Sequence, residues 1–192
     1  MKYSRERPWS AAAGPAGINA EFNAPGFSGR MRGFSLTRSP AMQETMIWTP
    51  HSTVATVVEN AGRFLMVEET DDGRTVFNQP AGHLDEGETL FEAAVRETLE
   101  ETAWHVILTD YLGTYVYRAP NDITYVRHCF VALPDSHEPD RMLDAGIIAA
   151  HWIDAATILD PGFNARSPLV IKAIQDYLAG RRIPLNSIYH LL

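Results

Sequence analysis

Cysteine is nearly absent from the chain: Cys129 is the single one in 192 residues. No disulfide can form within the chain, which points to a reducing, cytoplasmic setting. Cys129 lies in the apolar run Cys129-Phe130-Val131-Ala132-Leu133, where a thiol reads as a small core side chain, not a nucleophile. Also missing is any apolar stretch long enough to cross a bilayer. Positive charge is scarce where the chain looks folded. Residues 46–192 carry ten Lys/Arg against twenty-one Asp/Glu, a balance of −11, whereas residues 1–45 carry six against three, or +3. An acidic body argues against sequence-independent nucleic-acid binding, which needs a basic surface. An anionic substrate would approach it only with the help of local arginines or a metal ion.

Hydrophobic periodicity is lacking from residues 1–45, which are rich in Ala, Gly, Pro, Ser and Asn. Such a segment cannot bury enough apolar area to offset its ordering entropy, so it reads as a disordered leader. It is poor in acid and holds scattered arginines, as transit peptides do. A start at Met46, where the first folded-looking segment begins, accounts for it more simply. Residues 46–192 show no internal repeat and no second core, and at 45% apolar and 10% aromatic content the whole suits one ordinary globular domain.

The β-branched run 51–58 predicts a strand, Asn60-Ala61-Gly62 a turn, and 63–68 its hairpin partner. A short strand at Thr75-Val76-Phe77 leads into the polar, Pro- and Gly-punctuated loop Asn78-Gln79-Pro80-Ala81-Gly82. One or two strands are expected over 104–117, bent at Gly113, then a turn at 120–122 and a long strand over 123–133. Residues 134–146 read as an acidic loop and 147–153 as a strand. Asp154 should cap a short helix, and Ser167 a second over 168–179 closed by Gly180. The order of elements predicts an α+β domain.

The helix beginning near residue 90 carries the charge pattern that matters. Thr89 with Glu92 three residues on makes a capping box. At 100° per residue, Phe91, Val95, Thr98, Leu99 and Thr102 share an arc that should pack on a sheet. Glu97, Glu100 and Glu101 fall on another arc, at its edge, near Leu90 and the small Ala93 and Ala94. Like charges three and four apart repel by a few tenths of a kcal/mol per pair. A solvated acidic face is the common reading of such a stripe; an edge-of-core position favours a hard divalent cation such as magnesium held between the carboxylates.

The spacing Gly82, Glu88, Arg96, Glu97, Glu100, Glu101 resembles the Nudix box, G-x5-E-x7-R-E-U-x-E-E-x-G-U with U apolar. At average residue usage six fixed positions coincide by chance at a given start on the order of once in ten million, so the resemblance is specific. Two positions depart from it: Thr98 stands at an apolar position and Ala103 at the glycine that usually gives a left-handed helix cap. The segments HSTVATVV, RFLMVEET, FNQPAGHLDEGETLFEAA, AHWI and ARSPLV are similar to the NudJ-type phosphatase branch over nearly all of residues 48–185.

The resemblance implies an α/β/α sandwich with a central mixed sheet, and a Mg2+-dependent hydrolase (Mn2+ substituting) of small organic diphosphates. It implies substrates such as nucleoside tri- and diphosphates and hydroxymethylpyrimidine diphosphate. By match to the box, Glu97, Glu100 and Glu101 are metal ligands, with the Gly82 carbonyl a further one. Glu97 or Glu101 is the general base, Glu97 preferred. On the helical wheel Arg96 points away from the glutamates and pairs with Glu88. Weaker candidates are Asp144 as an extra ligand or base, and Asn78, Gln79, His83, Arg118 and Arg127 as substrate contacts. Phe77, Tyr117 and Tyr125 are possible stacking partners that strands more often pack, and Arg166 with Ser167 opens a helix whose N-terminus suits an anion. Another nucleotide pyrophosphatase, or a non-catalytic nucleotide- or protein-binding module of the same fold, are the rival readings. The intact acidic set with Arg96 speaks against the latter.

Overall fold

The computed structural model describes residues 48–191. The reading of 1–45 as a leader, with Met46 as an alternative start, lies outside the described residues. Eight strands and three α-helices follow in the order β1 (His51–Asn60), β2 (Arg63–Asp71), β3 (Arg74–Asn78), β4 (Ala81–His83), α1 (Leu90–Thr102), β5 (Trp104–Arg118), β6 (Thr124–His137), β7 (Ile147–Asp154), α2 (Ala155–Ile158), α3 (Pro168–Leu178) and β8 (Ile183–Pro184), with a 3-10 turn at Leu185–Ser187. The sheet runs β3-β2-β1-β6-β5-β8, with β4 added to β1 and β7 to β2. β1 and β6 are parallel and the other pairs antiparallel, so the sheet is mixed.

β1 explains the layering. A strand sends alternate side chains to opposite faces. Ala55 and Val57 join the cluster that includes Val170, Ala173 and Ile174 of α3, and Cys129 is buried in it as expected. Val54 packs with Ala93 and Ala94 of α1, and Val58 beside Val95. Both faces of this central strand are covered, which is why its sequence reads as a continuous apolar run instead of an alternation.

Four local expectations need correction. The polar loop 78–82 contains β4, because Ala81 to His83 find backbone partners in Ala55 to Thr53. β5 needs none: of the one or two strands expected it forms one, with a register shift at Gly113 as the bend. β6 runs to His137, four residues further than its apolar run, because β5 continues to pair with it. Ser167 holds the N-cap position of α3 but makes no capping hydrogen bond, and Pro168 opens the helix. The most buried residues of α1 are Ala93, Ala94, Thr98 and Thr102, so the packed arc is rotated toward the glutamates. Among the described residues no helix is long and apolar enough to cross a membrane.

Candidate active site

The site is organised by α1 and the loop before it. The capping box forms: Thr89 Oγ1 accepts from the Glu92 N–H at 3.2 Å, and Glu92 Oε2 accepts from the Thr89 N–H at 2.9 Å. At the other end Ala103 adopts the left-handed cap (φ 60°, ψ 16°), its N–H donating to the Leu99 carbonyl at 2.9 Å. The helix exit that a glycine would give is therefore kept, at a backbone cost of roughly 1–2 kcal/mol. The second departure from the box is also resolved. Thr98 is fully buried, donates to the Ala94 carbonyl at 2.7 Å, and lies 2.7 Å from Thr56 Oγ1 on β1. One hydroxyl has one proton, so Thr56 donates to Thr98.

Arg96 is the hub between loop and helix. Its Nε and Nη2 grip both oxygens of Glu88 at 2.8 Å, and Nη2 donates to the His83 carbonyl at 3.1 Å. Nη1 reaches back to Glu97 Oε1 at 2.8 Å and Glu100 Oε2 at 3.0 Å. The wheel-based view that Arg96 points away from the glutamates is thus wrong: a guanidinium long enough to fork serves both sides of its position.

A cleft of about 740 Å³ opens beside this hub, lined by Gly82, Glu97, Glu101 and Asp144 on its acidic side and by Asn78, Arg127 and Tyr125 elsewhere. Glu101 Oε2 accepts from the Ala81 N–H at 2.8 Å. Burial pushes the Glu101 carboxyl up to about 8, and the charges of Glu97, Glu69 and Asp144 add to the rise. Burial also raises Glu97, with Arg96 opposing and Glu100 and Asp144 adding. The acidic loop is fastened to the end of α1, with the Asp144 N–H on the Glu100 carbonyl at 3.1 Å and the Glu138 N–H on the Ala103 carbonyl at 2.9 Å. A Cβ at position 82 would run into the Glu97 carboxylate.

Residues 49–173 match the family model described as NUDIX domain. The chain belongs to the Nudix hydrolase family. It is 40% identical over 142 residues to proteins named Phosphatase NudJ from Escherichia coli K12 and from Shigella flexneri, covering 74% of this chain and 92% of each relative. A solved Nudix hydrolase from Nitrosomonas europaea shares 40% identity with a TM-score of 0.72, over 74% of this chain and 97% of that one. The E. coli ORF135 protein, at 20% identity and a TM-score of 0.56 over 68% of this chain and 90% of that one, shares the fold. The mixed sheet between α1 and α3 is the Nudix sandwich.

Nudix hydrolases use divalent metal ions. Among the described residues no three His, Cys, Asp or Glu side chains converge as a ready cage. Arg96 instead holds one oxygen each of Glu97 and Glu100. The donor set nonetheless fits a hard cation: buried carboxylates are raised in pKa by desolvation and by one another, and Gly82 presents backbone without a side chain.

The fold divides the weaker candidates. Asp144, Asn78, His83, Arg127, Tyr117, Tyr125, Arg166 and Ser167 line the cleft. His83 stands at its rim, 3.2 Å from His51 Nδ1. Gln79 does not line the cleft: it is buried and donates to the Val170 carbonyl at 2.8 Å, tying the loop to α3. Arg118 does not line the cleft either. It alternates with Tyr117 on β5, its side chain is 70% exposed, and it pairs with Asp122 across the hairpin turn at 3.1 Å. Phe77 stacks on Phe163 at 5.1 Å as packing. Glu100 does not line the cleft, and its Oε2 accepts from Arg96 at 3.0 Å. Among the lining residues that escaped notice as candidates in the sequence are Thr53 and Glu69. The parity of β2, which places Glu69 in step with buried Leu65 and Val67, was the available signal.

Proposed function

We propose that the protein is a Mg2+-dependent phosphatase of small organic diphosphates, with nucleoside tri- and diphosphates and hydroxymethylpyrimidine diphosphate as its substrate range, acting in the cytoplasm. The observation that carries this is the meeting of Glu97, Glu101, Asp144 and the Gly82 backbone in one cleft that also holds Arg127, in a chain 40% identical to phosphatases named NudJ.

Breaking a phosphoanhydride places charge on phosphoryl oxygens and needs an aligned water. A bound divalent cation supplies charge neutralisation and lowers the pKa of its water. Glu97, Glu101 and the Gly82 carbonyl would hold it from within the cleft, Glu100 would join them on release from Arg96, and Asp144 would add negative charge from the acidic loop. Arg96 fixes Glu97 through Oε1, leaving Oε2 to take the proton of the attacking water. The Ala81 N–H orients Glu101 in the same way. Arg127 contacts the substrate.

Glu97→Gln keeps the hydrogen bond to Arg96 and removes the base. Phosphate release should fall by about 100-fold or more, the range for a lost general base being roughly 100- to 10,000-fold, while the melting temperature stays within a few degrees. Wild-type turnover in that variant, or persistent activity of the parent in chelator, would sink the assignment. A panel of nucleoside di- and triphosphates, nucleotide sugars and the pyrimidine diphosphate, with product identification, separates NudJ-like phosphatase activity from other nucleotide pyrophosphatases.

A further inference from the structure

Buried side-chain oxygen and nitrogen atoms are nearly always hydrogen-bonded, and those that are not call for an explanation. Among the described residues five lack a partner, and four of these belong to residues lining the cleft: Thr53 Oγ1, Glu69 Oε1, Arg127 Nε and Ser167 Oγ. Such a concentration marks a surface that a ligand completes.

The chemistry of two of these atoms is one-sided. Glu69 is 6% exposed, and its Oε2 is taken by an ion pair with Arg166. Its Oε1 only accepts as long as the carboxyl is ionised. Arg127 is anchored through Nη1 on Asn78 Oδ1 at 3.3 Å, and its Nε only donates. Asn78 is itself buried, so the guanidinium is held in place. Burial raises the Glu69 carboxyl, against the charge of Arg166 and the side-chain hydrogen bonds of Asn78 and Arg166, while Oε1 keeps no partner of its own. A phosphate group would satisfy Arg127 and Ser167 but would face the Glu69 carboxylate. A ring that both donates and accepts satisfies both, and Tyr117 and Tyr125 offer aromatic faces in the same cleft.

We propose that Glu69 and Arg127 are the specificity-determining pair of the cleft: Glu69 Oε1 accepts from the amino group, and Arg127 Nε donates to the neighbouring ring nitrogen, of an amino-substituted pyrimidine or purine. This rests on the hydrolase reading above, and it assigns the organic half of the substrate to the β2, β6 and α3 side of the cleft, with the diphosphate toward Glu97 and Glu101.

The test compares cytidine diphosphate with its N4,N4-dimethyl derivative, which keeps the ring and removes the amino donors. Wild-type kcat/KM should favour the unmodified compound by about tenfold or more, since a site built to bond a donor rejects an analogue without one. In Glu69→Gln, Arg166 retains the amide oxygen, so the amide NH2 faces the amino group and the preference should collapse to about twofold or less. Circular dichroism checks that the variant is folded; if it is not, the wild-type comparison decides alone. Equal wild-type turnover of the two compounds overturns the proposal, as does a folded Glu69→Gln that loses both in proportion, the result expected of a structural or metal-binding role. A wild type that cleaves neither compound, nor methyl diphosphate, overturns the hydrolase reading and this subsite with it. Cleavage of methyl diphosphate without preference between the cytidine compounds overturns the subsite alone.

Discussion

The Glu97 carboxylate fills the space that a Cβ at position 82 would require. β4 fixes the Gly82 backbone opposite Val54, and α1 brings Glu97 onto it. Gly82 is not among the glycines of positive φ, so close approach of the side chain, not backbone freedom, demands a glycine here. In Gly82→Ala the obstacle is the end of a flexible side chain, which can swing away while β4 stays paired. We expect kcat to fall by about 100-fold, as small misplacements of reacting groups do, with a melting temperature only a few degrees lower. Full activity would show that Glu97 works from some other position.

Arg96 binds five acceptor atoms with one guanidinium, two of them the oxygens of a single carboxylate. Lysine keeps the charge but not the fork. Arg96→Lys should therefore lower kcat more than Glu88→Gln does, because only the former releases Glu97 as well. The hub is partly exposed, so its stability contribution is modest, about 1 kcal/mol or roughly 2–4 °C. Equal kinetic losses in the two variants would mean that Arg96 serves only the loop.

Thr98 and Thr56 make a coupled pair in the layer between α1 and β1. Thr98→Val restores the apolar residue of the family box but strands the Thr56 hydroxyl, at about 1–3 kcal/mol. Thr56→Val alone removes only the donor to Thr98, whose own proton remains on the Ala94 carbonyl, and should cost less. The double variant removes both hydroxyls and should recover most of the Thr98→Val loss. Strict additivity by thermal melts would contradict the coupling.

These residues show where sequence reasoning reached and where it stopped. The capping box, the glutamate spacing and the run over β1 are local patterns, each set by neighbours within a few positions, and each was legible. Thr98 looked like a defect because its compensation, Thr56, lies forty-two positions away. Arg96 was misplaced because a helical wheel records the direction of a Cβ, not the reach of a guanidinium. Gln79 and Arg118 were candidate contacts by type alone, and packing of the loop on α3 and alternation along β5 place them outside the cleft lining. Glu69 hid in the charge run Glu68 to Asp72, which reads as a strand end.

Glu101 gives a prediction in pH. Burial raises its carboxyl to about 8 from an ordinary 4.5. The unfolded chain releases this proton near the lower value and the folded chain near the higher. Between them the folded state binds more protons, so stability falls as pH rises. His83 and His128, both lowered by burial, act in the opposite sense, but only below their ordinary 6.5. From pH 6.5 to 8, in chelator, the melting temperature should therefore drop by several degrees. Glu101→Gln keeps the acceptor for the Ala81 N–H and cannot ionise, so its drop should be smaller. Mg2+ added at pH 8 favours the carboxylate form and should raise the parent's melting temperature more than the variant's. The same pH profile and the same Mg2+ shift in both proteins would remove Glu101 from the metal site.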